Sequence, residues 1–122
     1  MTTINCVNEI RSEVGEGPNW DAGTSTISWV DIAGKFWFEQ NIDGGAVTTH
    51  SVPEVIGAIV GRRKGGYYAA TKEGFAELNP DNGWKVTKDF LKEDERMNDA
   101  KVDSAGRFWA GSCTMDMVPG TG

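Results

Sequence analysis

With two cysteines, one histidine and four prolines in 122 residues, the chain is poor in residues from which many reactive sites are built. Cys6 and Cys113 stand alone and lack the paired spacing of a thiolate metal site. The first fifteen residues contain no basic start followed by an apolar stretch, so no secretory leader is read there. Free thiols and a cytoplasmic setting are therefore expected, rather than a disulfide. His50 follows Thr48-Thr49 and reads as a surface histidine on an outer strand. Neither a Cys–His pair nor a Gly-x-Ser-x-Gly elbow occurs, which argues against a covalent nucleophile. Apolar runs are three or four residues long, as in Ala58-Ile59-Val60 between glycines, and are far too short to span a bilayer. Positive charge is also scarce: 12 Lys and Arg face 18 Asp and Glu, a net charge of −6. That balance argues against nucleic acid or an anionic membrane surface as partner. The one short basic run, Arg62-Arg63-Lys64 beside Gly65-Gly66, reads as a solvated turn.

What the chain does have is glycine and aromatics: 16 Gly, five Trp and five Phe. Short apolar runs punctuated by glycine favour an all-β fold over a helical one, and the length suits one domain. Three segments share a grammar. Trp20-Asp21, a turn and Ile27-Ser28-Trp29-Val30-Asp31 form the first; Val60-Gly61, a charged turn and Gly66 to Thr71 form the second. The third is Val102-Asp103, Ser104-Ala105-Gly106 and then Arg107-Phe108-Trp109-Ala110-Gly111. Trp29, Ala69 and Trp109 fall at equal intervals of 40 residues. Between copies lie further strand patterns, Lys35 to Gln40 and Gly74 to Leu78, followed by turns at Asp43-Gly44-Gly45 and Asp81-Asn82-Gly83. A unit of four short strands recurring about every forty residues is the pattern of a β-propeller blade, preferred here to a β-sandwich.

The innermost strand of a blade lines the central channel and precedes the turn. Counting five residues back from Asp21, Gly61 and Asp103 places Glu16, Ile56 and Asn98 level with one another. A carboxylate and an amide brought to one axis from separate blades could both supply oxygen ligands to a hard cation. The plainer reading of Glu16 is a solvent-facing turn carboxylate.

Glu16-Gly17-Pro18-Asn19-Trp20-Asp21, then Trp29-Val30-Asp31-Ile32, then Arg96-Met97-Asn98-Asp99 with Lys101, Asp103, Gly106-Arg107 and Trp109-Ala110-Gly111 stand in order along the chain. Together they resemble the SMP-30/gluconolactonase/luciferin-regenerating enzyme family across essentially the whole length. The resemblance implies a six-bladed β-propeller with one divalent metal near its axis, hydrolysing lactones of sugar acids. Glu16 falls on a metal-binding glutamate of that family, and Arg96 and Asn98 on residues that contact substrate. The family's other metal ligands, an Asn and an Asp that is also the catalytic base, lie in later blades, outside this sequence. The catalytic residue is therefore not named from this chain. Ser112-Cys113-Thr114-Met115-Asp116 departs from the family pattern by a small insertion, and Asp116 is given no role.

The chemistry of these side chains agrees with that assignment. Arg96 and Asn98 alternate on an extended stretch and so face one side, where a fork of donors and an amide suit the hydroxyls and ring oxygen of a sugar lactone. The plainer alternative is a salt bridge from Arg96 to Glu95 or Asp94, with an Asx-turn at Asn98. Asp99, Lys101 and Asp103 read as structural. Oxygen donors select Ca²⁺ first, then Mg²⁺ or Mn²⁺, with Zn²⁺ also compatible. Two other readings keep the scaffold: a hydrolase of non-sugar lactones or organophosphates, and a calcium-binding or interaction propeller without catalysis.

Length complicates the picture, because about three blades do not close a ring. Six blades of about forty residues need on the order of 240, and Pro119-Gly120-Thr121-Gly122 reads as a turn with no strand after it. Residues 1–122 are thus expected to be the N-terminal portion of one propeller domain, inactive alone. The missing blades would come from the remainder of a longer protein, from the other half of a split one, or from copies of itself.

Overall fold

The computed structural model describes residues 1–81 and 83–120, and it is all-β. Asn82 of the Asp81-Asn82-Gly83 turn, and Thr121 and Gly122 of the last turn, lie outside the described residues. The first blade is an antiparallel sheet of β1 (Gly15–Asp21), β2 (Thr26–Asp31), β3 (Phe36–Asn41) and β4 (Thr48–Ser51). The second blade repeats it with β5 (Ile56–Gly61), β6 (Tyr67–Thr71), β7 (Gly74–Asn79) and β8 (Gly83–Lys88). The third sheet holds two strands, β9 (Glu95–Val102) and β10 (Phe108–Thr114). Strand order follows chain order in both four-stranded sheets, as expected of blades. Among the described residues no helix is long and apolar enough to cross a membrane.

Alternation along each strand decides which face is buried. In β2, Ser28 and Val30 are buried toward the second blade, while Trp29 stacks on Phe38 across the other face at 5.1 Å. In β7, Gly74, Ala76 and Leu78 are buried and the residues between them are not. Two apolar clusters result, one for each pair of neighbouring blades. Val30, Trp37, Ile56, Ile59 and Leu78 fill the first. Ala58, Ala70, Met97 and Ala100 fill the second, with Phe75 and Phe108 packed edge-to-face at 5.2 Å. Each buried Ile, Leu or Val contributes about 1.5–3 kcal/mol.

Each innermost strand is fastened at its start in the same way. The residue just past the second strand donates its N–H to the carbonyl just before the first: Ile32 to Val14 at 2.9 Å, Lys72 to Val55 at 2.8 Å and Met115 to Asp94 at 2.7 Å. The neighbouring pairs agree, with Gly15 opposite Asp31, Ile56 opposite Thr71 and Glu95 opposite Thr114. By this register Glu16, Gly57 and Arg96 stand level, not Glu16, Ile56 and Asn98 as counting from the turns suggests. The difference has a physical cause. Every innermost strand carries a β-bulge, between Glu16 and Asn19, between Ile56 and Ala58, and opposite the Ala110–Ser112 step. Each bulge adds one residue to its strand, but the three strands run for seven, six and eight residues, so counting back from the turns slips the alignment by a residue or two.

The bulged strands approach one another closely, and glycine makes that approach possible. A Cβ on Gly57 would collide with the carbonyl oxygen of Asn98. Gly17 sits at φ +57°, a left-handed conformation that side-chain-bearing residues rarely adopt, beside Ala58. Gly57→Ala should lower stability by roughly 1–3 kcal/mol, the range for overpacking a tight contact. A urea-unfolding midpoint equal to wild type would show that the strands separate more easily than this packing implies.

Candidate functional site

Glu16 is the second residue of β1, just ahead of the bulge, and its side chain is exposed. Its Oε2 accepts a bond from the N–H of Gly17 at 3.2 Å, and among the described residues no cation pairs with it. It is therefore a carboxylate with free lone pairs on a fixed backbone. As a donor it suits a hard cation, but it is a partial ligand set. Among the described residues no group of three or more His, Cys, Asp or Glu side chains converges to hold a metal.

Arg96 and Asn98 meet. The Arg96 guanidinium donates through Nη1 to Asn98 Oδ1 at 3.0 Å and to the Met97 carbonyl at 3.0 Å. Its Nη2 reaches the thioether of Met117 at 3.6 Å. The alternative salt bridge to Glu95 or Asp94 is not formed, and Glu95 pairs with Lys92 at 2.9 Å. Met97 points into the cluster shared with the second blade, so Arg96 stands on the opposite face of β9. Both side chains are half-buried, and the Arg96 fork is held in place before any ligand arrives.

The rest of the polar run braces this strand. Asp99 Oδ1 accepts from the N–H of Ala100 at 2.8 Å and lies 3.9 Å from the Lys101 ammonium, both side chains largely in solvent. Asp103 ties the β9–β10 hairpin. Its Oδ1 accepts from the N–H groups of Ala105 and Arg107, both at 2.9 Å. Its Oδ2 accepts from Trp109 Nε1 at 2.9 Å and Arg107 Nε at 2.7 Å. The Trp109 indole, then the Arg107 backbone and guanidinium, pull its pKa down to about 2.

Asp31, at the end of β2, is only 4% exposed and has no cation beside it among the described residues. Its Oδ1 accepts from Val14 N–H at 2.9 Å and Gly34 N–H at 3.1 Å, and its Oδ2 from Glu13 N–H at 2.9 Å. Burial alone would raise its pKa; the N–H groups of Val14, Glu13 and Gly34 outweigh it, and the net direction is down.

His50 is not the surface histidine expected from sequence. Its ring stacks on Trp37 at 3.8 Å, and Nε2 lies 3.5 Å from Glu39 Oε1. Tyr67 of the second blade donates to Glu39 Oε2 at 3.1 Å, and burial followed by the Glu39 charge pushes its pKa up to about 12. Nearby, a cleft of about 760 Å³ opens between the two complete blades, lined by Trp20, Asp21, Glu39, Arg62 and Tyr67 among others. It lies toward the strand ends at Asp21 and Gly61 and includes none of Glu16, Arg96 or Asn98.

The family model for the SMP-30/gluconolactonase/LRE-like region matches residues 14–122. The chain belongs to that family. It is similar to regucalcin of Danio rerio, 34% identical over 118 residues, which cover 95% of this chain and 40% of that protein. It is likewise 32% identical over 113 residues to a 6-deoxy-6-sulfogluconolactonase of Pseudomonas putida, covering 90% and 39%. The solved structure of an Agrobacterium tumefaciens regucalcin, described as a calcium-binding protein, superposes with a TM-score of 0.82 at 22% identity. That superposition covers 90% of this chain and 38% of the other. A luciferin-regenerating enzyme superposes with a TM-score of 0.81 at 23% identity, covering 86% and 38%. These likenesses make the fold that of the family's β-propellers, with two blades complete here and half of a third. The chain spans about 40% of the length of the curated relatives it matches.

Sequence reasoning placed Asp31 in a motif without giving it a task. The signal was there: a lone acid closing an apolar strand, Ile27 to Ile32, must find donors if it is buried. Asp103 gives a testable pH dependence. Its folded pKa is depressed below the ordinary 3.8, so its contribution is full above about pH 4 and is lost as pH falls toward about 2. Asp103→Asn should be less stable than wild type near neutrality, with the difference in urea midpoint shrinking below about pH 4. A difference that does not change with pH would mean the carboxylate charge is not what ties the hairpin.

Proposed function

We propose that this chain supplies part of the site of a metal-dependent lactonase acting on sugar-acid lactones. Residues 1–122 are, on this reading, the N-terminal portion of a single six-bladed propeller domain, and the isolated chain is inactive. The observation that carries the reading is the pre-held Arg96–Asn98 pair on β9, with Arg96 in register with the free carboxylate of Glu16. The sulfogluconolactonase among its relatives supports the substrate class.

Glu16 contributes one charged oxygen ligand to a divalent cation, Ca²⁺ first by hardness, with Mg²⁺, Mn²⁺ or Zn²⁺ also compatible. When bound, such a cation supplies Lewis acidity toward a lactone carbonyl. Arg96 holds the substrate through N–H groups not spent on Asn98 and Met97, giving donors to ring and hydroxyl oxygens. The Asn98 amide offers its NH₂ to the same ligand, since its carbonyl oxygen already accepts from Arg96. Restricting the lactone in this way lowers the entropic cost of reaching the transition state. A carboxylate outside this chain activates water.

In the full-length protein, Glu16→Gln should weaken divalent-metal binding by at least roughly 10–100-fold, the loss typical when a metal ligand's support is removed. Hydrolysis of gluconolactone should fall with it. Arg96→Lys should raise KM by about tenfold, as a point charge replaces the fork, while leaving metal affinity unchanged. Turnover of organophosphates or non-sugar lactones alone would sink the substrate assignment. Metal binding with no hydrolysis of any of them would make the protein a binding propeller.

A further inference from the structure

The three blades share one fastening bond before the innermost strand. In the first, a carboxylate at the end of the second strand adds to it, whereas the entry to the third is tied by the Lys72 ammonium, which donates to the Glu93 and Glu95 carbonyls. At the position ending the second strand, the second and third blades have Thr71 and Thr114, and the first has Asp31. All three side chains are buried. The Thr71 hydroxyl bonds within its own turn, accepting from Glu73 N–H at 3.1 Å and donating to the Gly74 carbonyl at 3.2 Å. Asp31 also bonds its own turn, at Gly34. Its two oxygens then reach across to the N–H groups of Glu13 and Val14, leading into β1.

The need for this in the first blade is visible. The strand before β5 is β4, so β5 is entered from a sheet already in place, and β9 likewise follows β8. β1 is entered from residues 1–14, which form no regular strand or helix. Their other ties are few: the Ile32–Val14 bond, and contacts of Asn8 and the Val7 carbonyl with Gln40 at 2.9 and 3.4 Å. The pairing of Gly15 with Asp31 and of Glu16 with Val30 breaks at the bulge just past Glu16, so the ties at Glu13 and Val14 brace Glu16 from its N-terminal side.

We infer that Asp31 is a positioning residue for Glu16, its carboxylate fixing the Glu13–Val14 backbone so that the Glu16 carboxylate is held where a cation is bound. The inference rests on the metal-ligand reading of Glu16. Asp31 touches neither cation nor substrate; it acts through the backbone.

The test uses the full-length protein with Ca²⁺ as the probe. Asp31→Thr installs the residue that the other two blades carry at this position, so the blade keeps a side chain known to fit there; Asp31→Asn keeps the shape and removes the charge. Calorimetric Ca²⁺ affinity should fall by roughly tenfold or more in both variants, as for other groups that orient a metal ligand. Amide exchange at Glu13 and Val14 should speed up by a similar factor. Thr71→Val, the matching change in the second blade, should lower the melting temperature and leave Ca²⁺ affinity as in wild type. Faster exchange with wild-type Ca²⁺ affinity, while Glu16→Gln binds weakly, would overturn the role of Asp31 and spare that of Glu16. Unchanged affinity in Glu16→Gln itself would instead remove the reading on which the inference stands.

Discussion

The close approach of bulged innermost strands is the constraint on which the rest of this structure depends. Gly57 meets the backbone of Asn98 where no side chain fits, and Gly17 packs on Ala58 in a left-handed conformation that glycine adopts readily. Bulges there turn each strand sharply and break the pairing with the next strand. Beside these bulges Glu16, Arg96 and Asn98 remain polar and accessible, as do Asn19 and Asp99. Close packing and open chemistry thus share one short segment of each strand. The bulges separate them, freeing some side chains from the sheet while the backbone stays packed.

Three aspartates in this chain hold backbone in place. Asp21 accepts from Gly23 and Thr24, Asp31 from three N–H groups, and Asp103 from two N–H groups and two side chains. A carboxylate can take several such bonds at once, and each is stronger than a neutral one. Asp21 and Asp31 do this with no basic partner among the described residues, while Asp103 also takes the Arg107 guanidinium. Glu16 differs from these three, for among the described residues it accepts one bond, from the N–H of its neighbour Gly17.

Much of the architecture could be read from the sequence because turns and aromatic strands recur at a fixed interval. Trp29, Ala69 and Trp109 fall in β2, β6 and β10, the second strand of each sheet. Asp103 as a turn residue and Asp99 with Lys101 as bracing were legible for the same reason: short-range polar spacing reports local geometry. The level of each innermost residue was not legible, since these strands differ in length, at seven, six and eight residues, and composition does not mark where each begins. The clamp made by Asp31 is a contact between residues 17 and 18 apart, and no local pattern encodes it. His50 was misjudged because the stack with Trp37 depends on the β3–β4 pairing, in which these two residues face each other. The roles proposed for Glu16, Arg96 and Asn98 came from the repeat and the family resemblance together.

The two apolar clusters each join one blade to the next, and neither spans all three. Such a molecule behaves more like a row of bricks than a droplet: each joint carries its own load. A cavity opened at Trp37 would loosen the first joint and leave the second, beside Arg96, close to its original strength. Changes in one joint can therefore accumulate over evolutionary time with little effect on the other. The innermost backbone contacts have no such freedom, because each of them sits in two blades at once.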